Sequence, residues 1–326
     1  MRPRCRRVVG LLAVTALGCG GGDRRVTAPT PVASPSPLGV AAGSVVTVIR
    51  GDTGTPVEGA AVTVAGRTYV ADAAGTVRIA DAAPPGALVD VTDPSVLDRQ
   101  TTVANGPLGT LVLWPRSSAS GIDETFTATV VYTRVGALTG TGPLGAELLR
   151  RLARGVPLVV VVPTPDILAD DMAHAAHAAS VARMNAAARG TVTYALARDR
   201  PASGTVFVAR VGPDDPSCGE RVLAFTRATV RGQEITGGEI VYCSRDAPRR
   251  AALVVHEMGH TFGLWHSADS RDMMFGALIR SHAEEFRPRE ADVMALMMQR
   301  RAGNRFPDSD RGVAGASVRE DVIVCR

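Results

Sequence analysis

The 326-residue chain contains no lysine; all 36 of its basic residues are arginine. That absence reads as coding bias and carries no functional weight. A net charge is also lacking once the amino terminus is set aside. Arg2, Arg4, Arg6 and Arg7 fall in a leader without acids, so the 36 arginines less these four leave 32 against 32 acidic residues. The whole-chain pI of 9.0 therefore misleads, and nothing electrostatic favours nucleic acid as a partner. The apolar run Val8 to Leu17 is too short to span a bilayer as a helix, which takes about twenty residues. Cysteine is sparse, with five in the chain. Between residues 42 and 116 the 3.6-residue periodicity of an amphipathic helix is missing.

What is present at the amino terminus is a basic stretch (Met1–Arg7), the apolar run, and the small residues Gly18-Cys19-Gly20. This is the layout of a secretory leader, assigned to residues 1–18. Ala16-Leu17-Gly18-Cys19 resembles a bacterial lipobox, with Leu17 one position closer to the cysteine than usual. The resemblance implies a lipid anchor on Cys19 and a place on the bacterial cell envelope; ordinary secretion is the alternative, and either is extracytoplasmic. Residues 19–41, with Pro29, Pro31, Pro35 and Pro37, read as an extended tether. With Cys5 in the leader and Cys19 lipidated, Cys218, Cys243 and Cys325 remain. Cys218 and Cys243 flank neighbouring predicted strands and form the favoured disulfide, with other pairings left open.

The expected fold is multidomain: a small all-β sandwich followed by an α+β domain with a mixed twisted sheet. Residues 42–116 carry short strand patterns such as Ser44–Ile49 and Ala61–Val64, separated by Gly, Asp and Pro turns. Thr55–Val64 and Asp72–Ile79, with turn glycines Gly59 and Gly75, resemble carboxypeptidase-regulatory-like or bacterial Ig-like modules. A spacer is the preferred role; glycan or protein binding is the sharper one. Residues 117–303 should form the second domain. Strands are expected at Thr127–Arg134, Pro157–Val162, Thr191–Leu196, Thr205–Val211, Val222–Phe225 and Glu239–Tyr242, with helices at Leu168–Arg189 and Pro288–Met298. Residues 304–326 are polar and read as a loose tail.

The densest information lies in His256-Glu257-Met258-Gly259-His260-Thr261-Phe262-Gly263-Leu264-Trp265-His266. Residues four apart share a helix face, so His256 and His260 can aim at one metal ion while Glu257 is placed to hold a water rather than ligate. Gly263 can take a left-handed conformation that ends the helix and brings His266 round as third ligand. Three protein ligands leave a fourth position open, the mark of a catalytic rather than a structural zinc site.

This pattern resembles the metzincin zinc-peptidase signature. Ser267 directly after His266, and Met274 eight residues beyond it, resemble the matrixin branch. Met274 is then the methionine of the turn beneath the metal, with Met273 as second choice; Phe275 stands where the family often has Tyr. The resemblance implies catalytic Zn2+ on His256, His260 and His266, with Glu257 as general base in peptide hydrolysis. It places Leu223 and Ala224 on the sheet-edge strand along which an extended protein or peptide substrate adds. Residues after His266, up to Glu284, should shape the pocket beyond the scissile bond. Structural Ca2+ is left open, as are latency and oligomeric state. Two other readings keep the motif but change the role: a surface lipoprotein whose zinc domain is inactive, and a zinc amidase acting on cell wall.

The other candidates are weaker. His174 and His177 lie on the Ala-rich helix and read as ordinary helix histidines, and His282 is isolated. Gly140–Gly145 formally fits a dinucleotide-binding pattern, but Pro143 disturbs the turn and no clean βαβ unit surrounds it. Met294, Met297 and Met298 read as core packing. Asp308 and Asp310 could touch calcium, yet one short acidic pair is no calcium loop.

Overall fold

The computed structural model describes residues 39–103, 109–132, 148–153, 158–277 and 285–310, and the backbone of 318–325. The leader, Cys19, most of the tether, the Gly140–Gly145 pattern, His282 and the side chain of Cys325 lie outside the described residues.

Seven short strands open the fold: β1 (Ser44–Arg50), β2 (Ala61–Val64), β3 (Arg67–Val70), β4 (Thr76–Ile79), β5 (Leu88–Thr92), β6 (Arg99–Thr102) and β7 (Thr110–Leu113). They form a three-stranded sheet, β4-β1-β7, and a four-stranded one, β3-β2-β5-β6. The β-branched residues alternate, so every second side chain points to one face. Val46, Val48, Val77 and Ile79 from the first sheet and Val62, Val64, Val89 and Val91 from the second share one buried cluster. Gly75 is required at its turn: its φ is +69°, and a Cβ there would stand 2.4 Å from the Val48 carbonyl oxygen.

A third sheet follows. Its strands are β8 (Arg151–Leu152), β9 (Leu158–Pro163), β10 (Thr193–Leu196), β11 (Thr205–Val211), β12 (Ala224–Arg231), β13 (Glu234–Tyr242) and β14 (Val318–Cys325). Their order is β10-β9-β11-β13-β12-β14, with β8 also on β13. β9, β10, β11 and β13 run parallel, and β12 runs antiparallel between β13 and β14. Helices α1 (Glu124–Val130), α2 (Pro165–Leu168), α3 (Asp171–Ala188), α4 (Ala251–Phe262) and α5 (Pro288–Met297) accompany it. Val159 and Val161 of β9 join Met184 of α3 and Val254 and Met258 of α4 in one core. Val160 and Val162, on the other face, belong to a separate small cluster with Val206. A disulfide links Cys218 to Cys243, with their Cα atoms 5.4 Å apart. No helix among the described residues is long and apolar enough to cross a membrane.

Four expectations change. Residues 127–130 belong to a helix, not a strand; residues 133 and 134 are outside the described residues. The Asp123 carboxylate caps α1 by accepting from Phe126 N at 2.7 Å, and Thr129 turns its hydroxyl back onto the Thr125 carbonyl at 3.0 Å. Those local bonds satisfy β-branched residues within a helix. The Ala-rich helix begins after Leu168, because Asp170 accepts from both Met172 N and Ala173 N at 3.1 Å and fixes a new N-cap.

The third change concerns the segment 304–326, expected to be loose. Its first part is buried and ion-paired to β6. Arg99 donates to Asp308 at 2.7 Å and to Asp310 at 3.1 Å; Arg300 donates to Asp308 at 2.8 and 2.7 Å. Thr101 donates to Asp310, and Asn304 to both carboxylates. Burial opposes the charge on Asp310, but Arg99 and these hydrogen bonds outweigh it and lower its pKa. Both carboxylates are thus paired with guanidinium groups. α5 also joins the two halves, through apolar contact, since a Cβ on Gly51 would stand 2.1 Å from a Leu296 methyl. Residues 37–326 accordingly form one compact unit.

The fourth change follows from the end of the same segment. Instead of β12 lying at the sheet edge, β14 lies outside it. A bare strand edge presents unpaired N–H and C=O groups, and the run Val322-Ile323-Val324 has the composition to pair with them.

Candidate metal centre

α4 is built by an apolar lead-in, with Leu253, Val254 and Val255 buried against the sheet. It ends at Gly263, whose φ is +109°; a Cβ there would stand 2.4 Å from the Arg150 carbonyl oxygen. The chain turns as expected and returns His266 to the helix face that carries His256 and His260.

The ring orientations are set from behind. His256 Nδ1–H donates to the Met273 carbonyl at 2.6 Å, and His260 Nδ1–H donates to the Leu264 carbonyl at 2.7 Å. With both Nδ1 atoms donating, both Nε2 lone pairs face forward, and these atoms stand 3.2 Å apart. Two lone pairs at that distance repel unless a cation lies between them. Two nitrogens held at about 2.0–2.1 Å by a tetrahedral zinc would lie about 3.3 Å apart, so the spacing fits that ion. His266 completes the group: the ligand atoms of all three rings lie within 4.8 Å of one another. Burial first, then repulsion from His256 and His266, holds His260 well below the usual imidazole range. Burial pushes His266 down to about 4. Both shifts favour the neutral imidazole, the form that ligates a metal.

The floor is made by Met273 and Met274. Ser267 N donates to the Met274 carbonyl at 2.7 Å, which closes the turn. The Met274 sulfur packs against α4 at Gly259, where a Cβ would stand only 2.4 Å from it. Met273 instead contributes the carbonyl that orients His256. Gly276 lies behind the third ring, since its Cβ would be 3.1 Å from His266 Cγ and Nδ1.

Glu290 holds this floor from α5. Its carboxylate accepts from Met274 N at 2.9 Å, Met273 N at 3.2 Å and Arg287 N at 2.8 Å. It is at once the cap of α5 and the support of the turn. Burial raises its pKa to about 7, against the opposing pull of those backbone donors. Beside it, buried Asp272 accepts from Arg287 at 2.9 Å and from Arg289 Nε at 3.0 Å, and also from Ser267.

Glu257 is fully buried on the β12 side of α4. The Thr226 hydroxyl lies 2.6 Å from its Oε2 and 3.0 Å from its backbone carbonyl. Leu223 immediately precedes and Ala224 opens β12, the strand whose Thr226 contacts Glu257. The outer edge of Ala224 is paired with Cys325. His177, a helix histidine as expected, is buried and bonded at both nitrogens: its Nδ1–H donates to the Ala173 carbonyl at 2.8 Å, and Nε2 accepts from the Tyr242 hydroxyl at 3.0 Å. Burial pushes His177 down to about 4. Tyr242 is pushed up by burial and further by the charge of Glu257.

Residues 225–298 match the family model described as matrixin. The matched stretch runs from β12 through α4 and the methionine turn to the end of α5, under a quarter of the chain. No curated protein matches the chain. Together, the matrixin match and the histidine triad support a zinc metallopeptidase.

Sequence reasoning missed Thr226, Gly276, Asp272 and Glu290. Glu290 alone carried a signal, since it stands three residues after Arg287 at a helix start, the place of a capping carboxylate. Thr226 lies in an ordinary strand pattern, and its partner is supplied only by packing.

Proposed function

We propose that this chain is a zinc endopeptidase that hydrolyses peptide bonds within proteins, with Glu257 as general base. The observation that carries the proposal is the convergence of two Nε2 atoms 3.2 Å apart, with His266 beside them and Glu257 on the same helix. His256, His260 and His266 would hold the ion. When bound, zinc supplies Lewis acidity, making water more acidic and a carbonyl more electrophilic.

The protein's own groups do the rest. Glu257 takes the proton of the attacking water and later delivers it to the leaving amine. Thr226 keeps its carboxylate in one orientation. Met273 and Leu264 hold the two helix imidazoles by their far nitrogens, so the near nitrogens need no reorganisation. The substrate's backbone would lie extended along β12, past Ala224 and Thr226.

The test is cleavage of denatured casein or gelatin by the full chain beside Glu257→Ala, with zinc content measured in both. Equal zinc and a loss of at least about a hundredfold in the variant are expected, the usual contribution of a positioned acid–base group. Equal rates in both chains, or a wild type that takes up no zinc, sinks the assignment.

The leader and Cys19 support export and a lipid anchor at the bacterial envelope. Fatty-acid labelling that persists in Cys19→Ala would rule the anchor out.

A further inference from the structure

β14 pairs with β12 over the whole length of that strand. The register runs antiparallel from Ala224 opposite Cys325, through Thr226 opposite Ile323, to Arg231 opposite Val318. β12 is not a remote strand. Its Thr226 is the residue that touches Glu257, so this strand passes the helix that carries the histidines at that register position. An extended peptide can add only where backbone N–H and C=O groups are unpaired. Here those groups, from Ala224 to Arg231, are already taken by the chain's own carboxyl-terminal strand.

We propose that the outer edge of β12 is a peptide-docking edge whose resident occupant is Val318–Cys325, and that this strand must leave before a substrate is cleaved. The inference rests on the endopeptidase reading above. Strand and substrate would compete for one set of backbone hydrogen bonds. Occupancy of the edge for nine-tenths of the time would weaken apparent substrate affinity about tenfold. The strand is tethered to the domain through residues 300–310, which are anchored by Asp308 and Asp310. Its effective concentration at the edge therefore exceeds that of a free peptide. A strand that merely shields a sticky edge would show no competition with substrate, and this separates the two roles.

The experiment uses the full chain, the chain ending at Asp310, and the full chain with Ile323→Pro, which breaks the ladder without shortening the tail. A fluorescent peptide of residues 318–326, carrying Cys325→Ser, serves as the probe. The peptide should bind the shortened chain and the Ile323→Pro chain but not the unaltered one. Both altered chains should cleave denatured casein about tenfold faster at subsaturating substrate, and added peptide should reverse this competitively. Equal peptide binding by all three chains, or binding by none while each unfolds cooperatively, overturns the proposal. So does cleavage that is unchanged by strand removal. If no chain cleaves any substrate but the peptide still discriminates among them, the docking edge stands and the endopeptidase reading falls.

Discussion

The Thr226 hydroxyl lies 2.6 Å from Glu257 Oε2, and it is the contact that joins the sheet to this buried carboxylate. A hydrogen bond to a charged group contributes about 1.5–3 kcal/mol. Thr226→Val keeps the shape of the side chain and removes the hydroxyl. It should lower kcat about tenfold or more by that magnitude while leaving KM nearly unchanged. The acid limb of the rate profile should move to higher pH, because a lost donor favours the neutral carboxyl. Thr226→Ser should recover most of the rate. A pH–rate series on the three chains decides the matter; an unmoved acid limb would mean that Thr226 is packing alone.

Gly259 faces the Met274 sulfur across 2.4 Å of would-be Cβ. Alanine would favour the helix locally by about 0.8–1 kcal/mol. It must also displace a fully buried methionine, an overpacking that costs about 1–3 kcal/mol. The second effect should win. Gly259→Ala is expected to lower the denaturant midpoint and weaken zinc binding together. A midpoint at or above wild type would contradict the packing of Met274 against this turn of α4.

Glu290 predicts a pH signature. Its folded pKa is raised from 4.5 to about 7, so the folded state binds a proton more tightly than the unfolded one. The stabilising contribution is complete below the unfolded value, and it is lost as pH rises from about 4.5 through about 7. Urea denaturation of wild type beside Glu290→Gln, at intervals between pH 4 and 8 (a range of about four units around that window), should show a decline in stability that the variant lacks. Parallel curves would mean that the three backbone donors control this carboxylate after all.

Arg99 and Asp308 are distant in sequence but are bonded at 2.7 Å in a buried site. Removing one partner of such a pair leaves an uncompensated charge, at a cost of about 3–5 kcal/mol. Asp308 would keep Arg300, so Arg99→Met should fall near the lower end, about 3 kcal/mol. The loss should appear as a single cooperative transition. Two separate transitions in calorimetry of the wild type would show that the two halves unfold independently.

Legibility in the sequence followed the range of the forces involved. The helix that carries His256 and His260 was plain, because its periodicity, Gly263 and the three imidazoles all act within one short segment. β11 was placed with its observed ends, and the Cys218–Cys243 pairing was favoured over its alternatives. The sequence misread Thr127–Val130, where β-branched residues outweighed a single capping aspartate in the pattern. It also misread the segment after Ala302. Arginine and aspartate look solvated until partners such as Arg99 meet Asp308, and a lone strand such as Val318–Cys325 has no meaning without the edge that receives it. Glu290 shows the same limit in the site itself: its capping position was visible, while its second task depended on a turn brought to it by folding.

The Arg99–Asp308–Arg300 network has a consequence for how such a chain can be recombined. A first half tied to its successor only by a linker can be exchanged for an unrelated one without loss. Here, replacing residues 39–116 would strand Asp308 and Asp310 beneath a surface that no longer supplies Arg99 and Thr101. The two halves are therefore heritable only as a pair, and a graft that succeeds must carry both sides of the network across together.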